Sequence, residues 1–225
     1  MLTGQDLSQF EKLHADGMAA KDADNHRGAL ELFETATEIA LTHDDQQKGL
    51  DAMQPAARSL WSLGRYEAAT DKLETASRVA EELELRDEQG VIISNMGRIA
   101  SVRTVRTIPV AEQRKVLRAE ATPRFREAYS ILKNHPHLYY RYANAQHGSV
   151  ISALAGERRL TTRLIAEGLC VALRASDEPY DQELTYKISS GTKRGVVQML
   201  AATVLIPLGG RTPFLAKFAR NKLVR

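Results

Sequence analysis

Apolar residues recur at three- and four-residue spacing through most of the chain, and small residues interrupt them at fixed places. Leu13, Gly17 and Ala20, then Ala29, Phe33 and Ala36, are matched forty residues later by Met53, Ala57 and Leu60, then Ala69, Leu73 and Ala76. Ile93, Gly97 and Ala100 stand a further forty residues on and repeat the first half of the set. Large residues at this spacing make one apolar stripe per helix, and the small ones mark places where two helices cross closely. Neither helix of such a pair buries its stripe alone, so stacked copies are required. The expectation is an all-α chain with no strand.

Helices are expected over about 5–22, 26–42, 45–63, 66–83 and 87–104, each closed by polar, Gly or Asp-rich residues. Pro55 falls inside the third of these, where a proline costs about 3 kcal/mol, so a kink or a later start is expected there. From about 104 to 121 the repeat is interrupted: Pro109 breaks the chain and Val110–Glu120 reads as a short basic helix. Thr122 and Pro123 read as an N-cap and a first-turn proline opening a helix over 124–134, which His135-Pro136-His137 closes. Later pairs are expected over about 137–155 and 157–175, turning at Gly156, and about 179–190 and 193–206, turning at Gly191.

The pattern Trp61-Ser62-Leu63-Gly64-Arg65-Tyr66-Glu67-Ala68-Ala69, followed by Leu73 and Ala76, resembles the tetratricopeptide repeat family. Gly64 then supplies the left-handed position at the end of the first helix. The period of forty exceeds the standard 34 and is similar to the long-helix variants of the family. The resemblance implies a right-handed solenoid of four to five helical hairpins with an irregular third repeat. It implies one repeat domain over 1–210, with an insertion at about 104–121, followed by a basic tail or capping helix over 211–225.

It also implies a function: a non-catalytic adaptor or scaffold that holds a peptide or protein partner in a concave groove lined by the first helix of each repeat. The family's groove positions carry over to His14, Met18 and Lys21, to Gln54, Arg58 and Trp61, and to Ser94, Asn95 and Arg98. Lys21, Arg58, Trp61, Asn95 and Arg98 are the expected peptide-binding residues. Arg58 and Arg98 share a repeat position, and their donor forks with the Asn95 amide suit a carboxylate or acidic peptide. The family's carboxylate clamp is not matched, because His14 and Met18 stand where a lysine and an asparagine are expected. For Trp61 a core position is the competing reading, and for Arg58 an ion pair with a neighbouring helix.

Composition narrows the classes. The chain has 225 residues, 43% hydrophobic and 26% charged, with 14 Gly and 7 Pro, which excludes a disordered or fibrous protein. The net charge of +3 hides a division: residues 1–90 carry nineteen acids against nine bases, and residues 91–225 carry nine acids against twenty-two bases. No acid follows Glu183. Either the two halves attract each other, or the basic half meets an anionic partner. The candidate basic patch comprises Arg103, Arg106, Arg114, Lys115 and Arg118 in the insertion, a basic finger or a solvated loop, with Lys217, Arg220 and Lys222 in the tail. The alternative function is therefore nucleic-acid or anionic-membrane-surface binding through the basic half. The tail's competing role is to cap the last repeat.

Catalytic templates fail. There is no phosphate loop, HExxH, GxSxG or CxxC, so no enzyme, catalytic residue, metal or cofactor is expected. His135, His137 and His147 lack a carboxylate or cysteine at supporting spacing. Cys170, the one cysteine, lies in Leu169-Cys170-Val171-Ala172-Leu173 and is expected to be a small buried hydrophobe. No signal peptide is read in MLTGQDLSQFEKLH, and a cytoplasmic location is expected. Gly195–Gly210 is uncharged over 16 residues, short of the about 20 that span a bilayer, and suits either a buried terminal hairpin or self-association.

Overall fold

The computed structural model describes residues 2–136 and 138–175, and the expected helices over 179–190 and 193–206, and the tail with Lys217, Arg220 and Lys222, lie outside them. The described chain is all-helical: α1 Gly4–Asp22, α2 His26–Thr42, α3 Gln46–Ser62, α4 Tyr66–Glu82, α5 Arg86–Thr107, α6 Val110–Val116, a π-helical turn Leu117–Ala121, α7 Thr122–Leu132, α8 Leu138–Ala155 and α9 Arg158–Ala175. Contacts divide it into two compact units, Met1–Ile92 and Ile93–Arg225.

In the first unit, helices begin at His26, Gln46, Tyr66 and Arg86, twenty residues apart, and each packs on the one before it from α1 to α4. One turn makes the spacing. The residues at 24, 44, 64 and 84 are left-handed, with φ of 62° at Asp24, 52° at Asp44, 76° at Gly64 and 59° at Glu84. After each, the next N–H reaches back five residues: Asn25 to Ala20, Asp45 to Ala40, Arg65 to Leu60 and Leu85 to Ala80, at 2.8–2.9 Å. These are Schellman caps, which satisfy carbonyls that a helix end leaves unpaired. The residue that closes one helix also opens the next: Asn25 Oδ1 accepts from Gly28 N–H and Asp45 Oδ1 from Lys48 N–H. Glycine is the expected apex only at Gly64, and aspartate takes the role at two of the others because its short polar side chain tolerates this region.

The small residues lie where the apolar stripes put them. Gly17, Ala29, Ala36, Ala57, Ala69 and Ala76 are buried, and Phe33 and Leu73 are fully buried among them. A Cβ on Gly17 would sit 2.7 Å from the Phe33 ring, so α1 meets α2 at a distance only glycine allows. α3 continues through Pro55 rather than starting near it, and the Pro55 carbonyl accepts the Ser59 hydroxyl at 3.1 Å.

The second unit carries the same device in altered form. Phe125 is fully buried against Gly97 of α5 and Gly148 of α8, where an added Cβ would approach its ring to 3.2 and 3.1 Å. Ala121, Phe125 and Ala128 are all fully buried, as are Ala29, Phe33 and Ala36 in the first unit. Further on, Gly148 faces Leu164 as Gly17 faces Phe33, each pair sixteen residues apart. α8 and α9 turn at Gly156, φ 78°, with the Glu157 N–H on the Ser152 carbonyl at 2.8 Å.

Two expectations are corrected here. Thr122 does not cap a new helix, because the chain stays helical from α6 through the π turn into α7. Its hydroxyl donates to the Leu117 carbonyl at 2.6 Å, and its N–H reaches the same oxygen, so the turn is widened by one residue just where Pro123 has no N–H to give. Cys170 is exposed rather than buried. Over residues 158–171 of α9, those whose side chains are described, the buried ones are Leu160, Thr161, Leu164, Gly168 and Val171, which leaves Leu169 and Cys170 on another side of the helix.

Candidate functional site

The expected binding residues fall in both units. In the first, α1 and α3 are neighbours, and Arg58 of α3 is exposed with no ion pair among the described residues, which removes the reading of it as a structural salt bridge. Trp61 and Gln54 are half-buried on the same helix. On α1, His14 belongs to the packing: its ring stacks on Phe10 at 5.9 Å and meets the edge of Phe33 at 5.7 Å. Met18 and Lys21 are partly buried, with the Lys21 ammonium 3.4 Å from the Met18 sulfur and 3.3 Å from the Asp22 carboxylate. Lys21 is therefore partly neutralised within its own helix.

In the second unit, the Arg98 guanidinium donates to Asn95 Oδ1 at 3.4 Å, so these two α5 residues act as one group, while Ser94 is buried. His147 of α8 lies within reach of the Arg98 charge. Burial, with Arg98 adding to it, holds the His147 imidazole well below its ordinary pKa, so it is neutral at pH 7. Nothing in the sequence of either helix marks His147 as a neighbour of Arg98.

Most of the basic insertion is engaged within the protein. Arg103 pairs with Glu120. Arg114 Nε and Arg118 Nη2 both donate to the Ala155 carbonyl, at 3.4 and 3.0 Å, at the end of α8, where the helix dipole is negative. Arg118 and Arg126 close on Glu157 at 3.0 and 3.5 Å. Arg106 and Lys115 are exposed. The insertion is thus a clamp on the α8–α9 turn, and the pairing with Glu120 and Glu157 explains why so many guanidiniums fold together.

Among the described residues there is no group of three or more His, Cys, Asp or Glu that would hold a metal ion, and no helix long and apolar enough to cross a membrane. His135 is buried with its ring edge-on to Tyr140 at 5.5 Å, and His137 lies outside the described residues. Comparison of the sequence with protein-family models and with curated proteins finds no match.

One carboxylate is perturbed. Glu88, in the first turn of α5, has Oε2 buried without a hydrogen-bond partner. Burial first, then the Asp51 charge on α3, raises its pKa above the ordinary value, against a hydrogen bond from Gln47. A raised folded-state pKa means that the folded chain holds the proton more tightly than the unfolded one. Glu88 therefore costs stability as pH rises from its ordinary 4.5 through the raised folded value. Glu88→Gln is expected to raise the urea midpoint at pH 7 and to leave it unchanged at pH 4. A wild-type midpoint that loses nothing relative to the variant between those pH values refutes the assignment.

Proposed function

We propose that this chain is a tetratricopeptide-like helical solenoid of long repeats, a non-catalytic cytoplasmic adaptor that holds a peptide or protein partner against its first helices. The observation that carries the reading is the division of labour in the first unit. The repeated positions are spent on packing, from Gly17 under Phe33 to the fully buried Ala69, Leu73 and Ala76. Between them, α3 keeps Arg58 exposed and Trp61 half-exposed, a cation and an aromatic of the kind that anchors interfaces. In the second unit Arg98 and Asn95 present a hydrogen-bonded donor group at the corresponding repeat position. Guanidinium forks and an amide suit an acidic partner.

The alternative, nucleic acid or an anionic membrane surface on the basic half, draws less support from the insertion. Arg103, Arg114 and Arg118 there already serve Glu120, Glu157 and the Ala155 carbonyl.

The test is affinity capture with wild type and with Arg58→Glu/Arg98→Glu, followed by binding titration of the captured partner. The double variant is expected to bind at least about tenfold more weakly, while its helical circular dichroism and melting midpoint stay at wild-type values. Equal recovery of the same partners by both proteins overturns the reading. Captured nucleic acid whose affinity falls by orders of magnitude between low and moderate salt puts the alternative in its place.

A further inference from the structure

Two glycines bring a histidine to the Arg98 group. Gly97 of α5 and Gly148 of α8 both lie against the Phe125 ring, where an added Cβ would approach it to 3.2 and 3.1 Å. Arg98 follows the first glycine in the chain and His147 precedes the second, so both side chains start from beside one ring. Asn95, Arg98 and His147 are each half-buried, which leaves them within reach of a ligand. The Arg98 guanidinium bonds Asn95 Oδ1 at 3.4 Å, and its charge acts on the His147 imidazole from the other helix.

The other charges on the elements packed around this histidine have their own engagements. Arg124 of α7, beside Gly97, donates to the Glu120 carbonyl at 3.1 Å. Arg141 of α8 and Glu167 of α9 bond each other at 2.8 Å, and Arg163 of α9 lies over the Tyr129 ring at 5.8 Å. Among the described residues, Arg98 is the charge that acts on His147, and no carboxylate offsets it. A carboxylate brought to Arg98 reverses that balance, because it favours the imidazolium, which donates at both ring nitrogens. An acceptor stands on the same side of α8: Asn144, buried one turn before His147, has Oδ1 without a hydrogen-bond partner. Resting on the adaptor reading above, we propose that His147 is the third member of the Arg98 and Asn95 group, and that the carboxylate of an acidic peptide seated there is held from both α5 and α8 while His147 takes up one proton from solvent. Binding of the peptide then tightens as pH falls.

The test uses the full-length chain and a hexaglutamate peptide at pH 8.0 and 6.0, a range in which the peptide stays largely ionised. Wild-type affinity is expected to rise about threefold or more between the two, and that of His147→Gln to change clearly less, as proton linkage requires. Calorimetry in two buffers of different ionisation enthalpy is expected to show proton uptake at pH 6.0 that His147→Gln lacks. Imidazole NMR of the wild-type chain needs no substitution at 147, and His147 is expected to titrate at higher pH with the peptide bound than without it. Equal pH dependence and proton uptake in the two proteins, or a His147 titration that the peptide leaves unmoved, overturns the proposal, while binding that Arg98→Glu weakens keeps the adaptor reading. Hexaglutamate that does not bind, or that Arg98→Glu binds as well as the wild type does, overturns the site itself.

Discussion

Phe125→Ala is expected to lower the unfolding free energy by about 3–5 kcal/mol, near the upper end for removal of a core aromatic. The size follows from what surrounds the ring. Phe125 has no solvent exposure and lies against two glycines, Gly97 on α5 and Gly148 on α8. Glycine has no side chain to move into the space, so the cavity stays open, and the cost of a large-to-small change rises with the cavity that remains. Urea denaturation at pH 7 measures the effect, and a loss below about 1.5 kcal/mol would mean that the ring is not the keystone of this unit. The same substitution bears on binding, because Gly97 lies between Asn95 and Arg98 on α5. Partner affinity is expected to fall with the folded fraction rather than ahead of it.

That keystone is within reach of the sequence, but not at the period of the repeat. Ala121-Thr122-Pro123-Arg124-Phe125-Arg126-Glu127-Ala128 matches Ala69-Thr70-Asp71-Lys72-Leu73-Glu74-Thr75-Ala76 in its small, large and small positions, and in the Thr and the base as well. It lies fifty-two residues on, twelve beyond the period, so a search at a fixed spacing of forty finds nothing there. The helix boundaries of the first unit are legible to within a residue or two, because stripe, small residue and turn agree in every pair.

Three features are not legible, and all depend on contacts distant in sequence. Arg114 and Arg118 read as a solvated basic run until the Ala155 carbonyl and Glu157 are brought to them. Cys170 reads as buried from an apolar run, but burial is set by which side of α9 meets α8, and that side holds Leu164 and Val171. His147 gains its neutral state from burial and from Arg98, about fifty residues away. The candidate binding residues divide in the same way: Arg58 is exposed, while His14 is drawn into the Phe10–Phe33 stack by aromatic packing that the repeat pattern does not encode.

Gly156→Ala is expected to cost about 2–3 kcal/mol, clearly more than Gly64→Ala, although the two glycines share nearly the same backbone. Both are left-handed apices of Schellman caps, with φ of 78° and 76°. The backbone penalty for an L side chain there is about 1–2 kcal/mol in either place. Their surroundings differ. A Cβ on Gly64 meets nothing within 4 Å, whereas the place a Cβ would take on Gly156 is occupied by the Arg114 guanidinium. Alanine at 156 must therefore push Arg114 off the Ala155 carbonyl as well, and a hydrogen bond from a charged donor is worth about 1.5–3 kcal/mol before discounting for the water that reaches this clamp. A double-mutant cycle isolates that second contribution: in an Arg114→Ala background, Gly156→Ala should cost no more than Gly64→Ala does in the wild type. If the two glycine substitutions cost the same in the wild-type chain, Arg114 does not hold the α8–α9 turn.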